Sequence, residues 1–278
     1  MRVHVLALAL LVHALLVHGG AEAASRRTFV SFGASDIRPS FSFDKAYETG
    51  PMLNLTGVLT VPEGQGRVAA IVHLHGCSGA VRPLDEFWTT RFVEWGYAVL
   101  RLDSLSPRGL TNVCVSDAVS PYTRAADAYA AKAWLGRQPE IDAGRIAVAG
   151  WSHGGSAVLK ALGFPPDDLG ADPNTEPFRG GIAFYPWCER PNAIFAPLLI
   201  LAGEADTWAP AEPCRELRGM EKVQVEFYPN ATHGFDAPGA DLIMLGHRIR
   251  YQPEAAAAAT QAVRTFLAEI MRESPHTR

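Results

Sequence analysis

The sequence predicts an α/β protein with a mostly parallel central sheet that carries helices on both faces. Three observations predict this class: apolar runs recur along the chain, helical patterns separate them, and polar or glycine-rich turns follow them. Strands that alternate with helices form parallel sheets, and such strands are apolar throughout because helices bury both of their faces. The 278 residues are sufficient for one core of this kind. We therefore expect a single domain over residues 25–278.

Each element follows from a local pattern. In chain order, we predict antiparallel edge strands at 28–32 and 53–61, a strand at 68–74, a helix at 87–95, a strand at 97–102, a helix at 122–135, a strand at 146–149 and a helix at 156–162. The remaining elements are strands at 181–185, 196–203 and 223–228 and a terminal helix at 254–271. The segments 164–179 and 236–252 are either covers over the functional edge of the sheet or plain connections.

A serine stands between the strand at 146–149 and the helix that follows it. Ser152 is the centre of a Gly-x-Ser-x-Gly pattern that it forms with Gly150 and Gly154. A serine on such a turn has strained backbone geometry, and its hydroxyl is exposed above the sheet. The small glycines allow the strand and the helix to approach closely. We predict that Ser152 is a nucleophile; an ordinary helix-capping serine is the alternative.

A glycine-rich loop with the sequence HGCSG, at 75–79, follows the strand at 68–74. The backbone N–H groups of a loop in this place can stabilise the negative oxygen that develops during acyl transfer. We predict that the N–H of Cys77 and the N–H of His153, directly after the serine, form this oxyanion hole. A plain turn is the alternative.

Two further segments contain the partners that a nucleophilic serine needs. Asp206 follows an apolar strand, where a carboxylate can accept the second N–H of an imidazole and fix its tautomer. Glu204 is the alternative carboxylate. His233 follows the next strand and is the predicted general base. The order Ser152, Asp206, His233 is that of the α/β-hydrolases, so we predict the α/β-hydrolase fold.

The chain resembles the dienelactone hydrolase family of α/β-hydrolases. The resemblance rests on the HGCSG loop at 75–79, the GWSHGG turn at 150–155, the GEAD segment at 203–206 and the HGF segment at 233–235. These segments span most of the chain beyond residue 65. The type enzyme of the family opens a lactone with a cysteine nucleophile, where this chain has Ser152. This difference from the type enzyme favours a general carboxylic-ester hydrolase. The compact chain, which has no inserted domain long enough to form a large hydrophobic lid, favours short-chain or lactone-like substrates.

Further substrate-binding residues are predicted from their positions near the catalytic loops. Trp151, Trp187 and Trp208 either line the acyl pocket or pack in the core. The family's substrate-binding arginines have no clear counterpart in this chain. Arg108 and Arg82 are candidates because of the loops in which they lie.

Two histidines raise the question of a metal. His73 and His75 are spaced by two residues along a strand, so their side chains point the same way. A zinc site needs a third ligand, and none is nearby in the sequence. We expect structural roles for both histidines and predict neither a metal nor a cofactor.

The first 24 residues predict a secretory signal peptide. A basic start at Met1-Arg2 precedes an apolar run from Val5 to Val17, and Ala21-Glu22-Ala23 matches a cleavage pattern. The apolar run is short for a membrane span, and an uncleaved anchor is the alternative. We expect a secreted or periplasmic protein without stable membrane insertion.

Four cysteines in an exported protein suggest two disulfides. Cys77 and Cys114 lie in loops after neighbouring strands, and we predict that they pair. Cys188 follows a strand, and Cys214 is placed at the end of the next one, so these two form the second predicted pair. Four reduced, buried thiols are the alternative.

Charge and motifs exclude several functions. A net charge of −4 provides no basic surface for nucleic acid, and the chain has no phosphate-cradling loop of the Walker type. The function best supported is hydrolysis of a small-molecule ester through an acyl-enzyme, with the oligomeric state left open. Acyl transfer or peptide cleavage by the same residues, and a non-catalytic binding protein on the same fold, are the alternatives.

Overall fold

The computed structural model describes residues 24–39, 47–64 and 66–272. Its main sheet contains the strands β1 (Ser25–Pro39), β2 (Tyr47–Pro62), β3 (Val68–Leu74), β4 (Ala98–Asp103), β5 (Ile141–Trp151), β6 (Gly181–Phe184), β7 (Leu198–Gly203) and β8 (Val223–Tyr228). Their order is β1-β2-β4-β3-β5-β6-β7-β8. β1 pairs with β2 and β2 with β4 in antiparallel fashion, and the pairs from β4 to β8 are parallel. The predicted fold class is confirmed.

The helices of the described residues are α1 (Arg82–Glu94), α2 (Pro121–Leu135), α3 (His153–Gly163), α4 (Glu212–Arg215) and α5 (Pro253–Ile270). None of these described helices is long and apolar enough to cross a bilayer. The predicted signal peptide at 1–24 lies outside the described residues, except for Ala24.

Helices cover both faces of the sheet. α2 and α3 pack on one face, and α1 and α5 pack on the other. β3 contributes to both cores, because its side chains alternate between the faces. Every residue of β3 is buried, which explains the nearly uninterrupted apolar run in this part of the sequence. This burial holds the loop that follows β3 on a rigid base.

Several elements differ from the predicted ones at their ends, and the secondary structure at one cysteine differs as well. α1 begins at Arg82 rather than at Phe87, with Pro83 in its first turn. Proline is favoured there because the first turn of a helix does not use its backbone N–H groups. Cys214 lies in α4 and not at the end of a strand, so its predicted secondary structure is wrong.

The segment 236–252, predicted as a cover or a connection, contains a β-hairpin. Its strands are β9 (Asp241–Met244) and β10 (His247–Arg250), which pair antiparallel. Ile249 of β10 forms a bridge with His233. The hairpin therefore packs beside the loop that carries the predicted general base.

Candidate active site

The candidate nucleophile lies on a sharp turn between β5 and α3. Ser152 has φ 55° and ψ −118°, a region that costs strain for any residue other than glycine. Gly150 and Gly154 make the turn possible, because a β-carbon at Gly150 would lie 2.2 Å from the Gly154 carbonyl oxygen. A β-carbon at Gly154 would lie 2.3 Å from the carbonyl oxygen of Leu74. The turn thus requires glycine at both positions.

Three side chains form a hydrogen-bonded chain at the carboxyl edge of the sheet. The Ser152 hydroxyl is 2.9 Å from Nε2 of His233, and Nδ1 of His233 is 2.7 Å from Oδ2 of Asp206. An ionised carboxylate only accepts, so Nδ1 carries the proton and Nε2 is free to accept from Ser152. This is the arrangement in which a serine can lose its proton to an imidazole.

Asp206 is held in place by its other oxygen. Oδ1 accepts the backbone N–H groups of Trp208, at 2.8 Å, and of Ala209, at 2.9 Å. The Asp206 carboxylate is completely buried. Glu204, the alternative carboxylate, instead forms an exposed ion pair with Arg215. Asp206 is therefore the carboxylate that contacts the imidazole.

Aromatic rings pack against the His233 imidazole. The ring of Trp208 stacks on it with a centroid distance of 5.2 Å, and the ring of Tyr185 lies 4.6 Å away at a tilt of 58°. His247 of β10 stacks on Trp208 at 5.3 Å. The two rings that pack directly against the imidazole restrict the rotation of His233.

A cavity of about 370 Å³ opens in front of Ser152. Trp187, which is 57 % exposed, and Trp208 both line it. A neighbouring cavity of about 180 Å³ shares Lys160 and Glu189 with the first. Lys160 and Glu189 form an ion pair and line both cavities.

Both candidate oxyanion donors lie at this cavity. His153 is the first residue of α3, and the N–H groups of a first turn have no acceptor within their own helix. Cys77 lines the same cavity. The loop around Cys77 is close to the serine, because a β-carbon at Gly76 would lie 3.8 Å from Cβ of Ser152.

The His153 side chain faces a buried arginine. Nη1 of Arg124 is 3.2 Å from Nδ1 of His153. Because a guanidinium only donates, Nδ1 of His153 accepts this hydrogen bond and the imidazole is neutral. Burial, and next the Arg124 charge, lower the pKa of His153 to about 3. The same two causes lower the pKa of His75 to about 3. Burial lowers the pKa of Arg124 itself to about 10. Burial and the Arg124 charge together therefore keep both imidazoles uncharged beside the site.

Both predicted disulfides are present. Cys77 pairs with Cys114, and Cys188 pairs with Cys214. The first bond joins the candidate oxyanion loop to the loop after β4, and the second anchors the loop that carries Trp187. Each disulfide therefore braces one wall of the cavity.

Two predicted substrate-binding residues have other roles. Trp151 is only 1 % exposed and donates its indole N–H to Asp236 at 2.8 Å, so it belongs to the core. Arg108 forms ion pairs with the buried carboxylates of Asp36 and Asp127. The substrate-binding predictions for Trp151 and Arg108 are wrong, because buried partners already occupy the polar groups of both side chains.

The remaining candidates do not line the cavity at Ser152. Arg82 lines a separate cavity near the start of α1. His73 donates from Nε2 to Asp85 at 3.0 Å, and Nδ1 of His75 donates to the Gly76 carbonyl at 2.7 Å. Within the described part of the chain, no group of three or more His, Cys, Asp and Glu residues could hold a metal ion.

Sequence reasoning missed three polar residues around the site. Arg124 and Asp236 are completely buried, and Tyr185 is 3 % exposed. The only sequence feature that points to Asp236 is its position directly after the HGF segment at 233–235. Nothing in the sequence shows that a carboxylate in this loop turns inward.

The sequence profile of the dienelactone hydrolase family matches residues 55–271. The chain belongs to the dienelactone hydrolase family. An uncharacterised protein of Mycobacterium tuberculosis is 37% identical to the chain over 102 residues. The match covers 31% of this chain and 36% of that protein, so the chain spans little more than a third of the length of these curated relatives.

Solved structures share the fold. A Klebsiella pneumoniae protein assigned as a dienelactone hydrolase superposes with a TM-score of 0.61 at 17% identity, covering 87% of this chain and 99% of that one. A dienelactone hydrolase-like promiscuous phosphotriesterase from metagenomic libraries has a TM-score of 0.65 at 18% identity, covering 88% and 99%. The apo form of Thermogutta terrifontis esterase 2 has a TM-score of 0.59 at 18% identity, covering 87% and 97%. At these identities the neighbours show a shared fold.

Proposed function

We propose that the protein is a secreted or periplasmic serine hydrolase that cleaves carboxylic esters through Ser152, His233 and Asp206. The observation that carries this proposal is the hydrogen-bonded chain from the Ser152 hydroxyl through His233 to Asp206. The strained backbone of Ser152, at the mouth of a cavity, supports the same assignment.

The reaction follows from the direction of these hydrogen bonds. The Ser152 oxygen attacks the ester carbonyl carbon while its proton passes to Nε2 of His233. Asp206 stabilises the imidazolium that forms. The tetrahedral intermediate collapses, the bond to the alcohol oxygen breaks, and Nε2 returns the proton to that oxygen. A water molecule then attacks the acyl-enzyme with the same proton transfers and releases the acid.

The negative oxygen of each tetrahedral intermediate needs donors that are already in place. The N–H of His153, at the start of α3, and the N–H of Cys77 are the proposed donors. A helix N-terminus adds its positive dipole end to this interaction. The disulfide from Cys77 to Cys114 supports the loop in this role.

The size of the cavity favours short acyl groups. A volume of about 370 Å³ suits a small ester. The ion pair between Lys160 and Glu189 lines both cavities, so we propose that it separates them and restricts the space for a long acyl chain. We therefore propose short-chain or lactone-like esters as substrates.

The location of the protein is part of the proposal. Disulfides persist in oxidising compartments and are rare in reducing ones. The two disulfides therefore support export to the periplasm or the exterior.

A panel of p-nitrophenyl esters tests the function. We expect the purified protein to hydrolyse the acetate and butyrate esters, and the Ser152→Ala variant to lose about a million-fold in kcat. Circular dichroism checks that this variant is folded. Activity of Ser152→Ala within tenfold of the wild type would exclude the proposed nucleophile.

A further inference from the structure

A second carboxylate lies behind the candidate triad. Asp236 follows His233 by three residues and has no exposed surface. Its Oδ2 accepts the indole N–H of Trp88 at 2.7 Å and that of Trp151 at 2.8 Å. Its Oδ1 accepts the hydroxyl of Tyr185 at 2.8 Å. Both carboxylate oxygens are thus satisfied by uncharged donors.

The three donors come from separate elements that surround the site. Trp151 directly precedes Ser152 at the end of β5. Tyr185 follows β6, and its ring packs against His233. Trp88 belongs to α1 and lies 148 residues from Asp236 in the sequence. One carboxylate therefore ties the loop of the imidazole to the turn of the serine.

The surroundings of Asp236 leave its donors little freedom. Trp151 stacks on Phe184 with a centroid distance of 4.9 Å and on His73 at 4.2 Å. Tyr185 has φ 36°, an uncommon value for a residue other than glycine. The hydrogen bond to Asp236 helps to hold Tyr185 in this strained conformation, with its ring against His233.

Stability alone gives a poor account of a buried carboxylate. Removing a charge from water is unfavourable, and well-packed apolar side chains often replace buried ionic groups without loss of stability. Burial raises the pKa of the Asp236 carboxyl, while the three donors oppose this rise. The arrangement instead fixes the directions of three aromatic side chains.

We propose that Asp236 is a positioning residue, which acts on His233 through Tyr185 and on Ser152 through Trp151. Its hydrogen bonds keep the imidazole and the serine hydroxyl at their contact distance. Its negative charge, added to that of Asp206, favours the imidazolium that forms during catalysis. The inference rests on the proposed function.

Asp236→Asn separates charge from shape. The amide oxygen can still accept from both indoles, and the amide nitrogen can donate to the Tyr185 oxygen, so the packing is kept and the charge is lost. We expect kcat to fall between about tenfold and a hundredfold, because charge-assisted hydrogen bonds are roughly twice as strong as neutral ones. KM should stay within about threefold, since Asp236 does not line the cavity.

The pH profile provides a readout that a purely structural role would not change. Loss of a nearby negative charge disfavours the His233 imidazolium, so the acid limb of kcat should move to lower pH. A unit charge about 10 Å away at an effective dielectric constant of about 20 corresponds to a shift of about one pH unit.

Other titratable groups near this cluster stay the same in the variant. Asp206 contacts His233 directly, and His247 lies on the far side of Trp208. Asp85 and His73 form a buried pair beside Trp151. Their contributions to the acid limb are common to the wild type and the variant.

The matched control is Asp241→Asn, which makes the same change at an exposed ion pair with Arg248. It should retain wild-type kcat and acid limb. Tyr185→Phe keeps the ring and the Asp236 charge but removes one hydrogen bond. This variant should lower kcat by about threefold to tenfold, without a shift of the acid limb. Its kcat tests the positioning role of Asp236 if Asp236→Asn does not fold.

The inference is overturned if folded Asp236→Asn keeps kcat within twofold, or loses activity with the acid limb in place. Should Asp236→Asn not fold, a fully active Tyr185→Phe overturns it. The proposed function fails separately, if the wild type and Asp241→Asn hydrolyse no ester of the panel.

Discussion

Replacing Asp206 by asparagine would reverse the proton arrangement of His233. The two oxygens of Asp206 have different partners: Oδ1 accepts from the backbone N–H groups of Trp208 and Ala209, and Oδ2 accepts from His233. In Asp206→Asn the two backbone donors require the amide oxygen on their side. The amide nitrogen must then face Nδ1 of His233 and donate to it.

The consequence is the wrong tautomer of His233. Its Nδ1 becomes an acceptor, so Nε2 carries the proton and points it at the Ser152 hydroxyl. This imidazole cannot take the serine proton. We expect kcat/KM to fall about ten-thousand-fold, or about 5.4 kcal/mol in activation free energy. The fold should be unchanged, because each hydrogen bond of Asp206 has a counterpart in the variant.

Hydrolysis of p-nitrophenyl acetate measures this loss, with circular dichroism as the check on folding. Glu204→Gln is the control, since Glu204 forms an exposed ion pair with Arg215 and does not contact His233. The activity of Glu204→Gln should stay within about twofold of the wild type. Activity of Asp206→Asn within tenfold of the wild type, or a larger loss in Glu204→Gln, would refute the reasoning.

Three further predictions concern stability and specificity. Replacing Cys77 and Cys114 by serine opens a loop with a sequence separation of 37 and should lower the unfolding free energy by about 3.8 kcal/mol in urea titrations. The pKa values of His75 and His153, about 3 in the folded protein, lie below the unfolded value of about 6.5. Stability should therefore fall as pH decreases from about 6.5 towards 3, by up to about 1.4 kcal/mol per pH unit for each histidine. Among aryl esters of rising acyl length, kcat/KM should be highest for short chains, and Lys160→Ala should move the optimum to longer ones.

Each of these predictions has a contradicting outcome. An unchanged urea midpoint in the double serine variant would show that the disulfide does not stabilise the fold. An unfolding free energy that is constant from pH 7 to pH 5 would contradict the conclusion that His75 and His153 are neutral in the folded protein. In His75→Gln, the unfolding free energy should depend less steeply on pH than in the wild type. A wild-type optimum at long acyl chains would contradict the short-chain assignment.

The sheet could be predicted because its signals are local. The buried strand β3 appears as an apolar run, and the turn at Ser152 appears as two glycines at fixed spacing. The hairpin at 241–250 could not be predicted in this way. Its side chains are largely exposed, so it lacks the apolar alternation of a half-buried strand.

The polar interior could not be predicted because its partners are distant in the sequence. Arg108 lies in a loop, where an arginine is usually exposed, yet it pairs with Asp36, which is 72 residues away. Trp151 adjoins Ser152, but the alternation of side chains along β5 turns it towards α1 and away from the cavity. Only the tertiary structure brings Asp236 to the indole of Trp151, 85 residues earlier.

Covalent labelling tests the central claim most directly. The wild-type protein, treated with a fluorophosphonate at neutral pH and digested, should carry the phosphonyl group on Ser152, as located by peptide mass spectrometry. Ser152→Ala should not be labelled, and His233→Ala should be labelled far more slowly, because its serine has no general base. Absence of an adduct on the folded wild-type protein, or an adduct that persists in Ser152→Ala, would contradict the account.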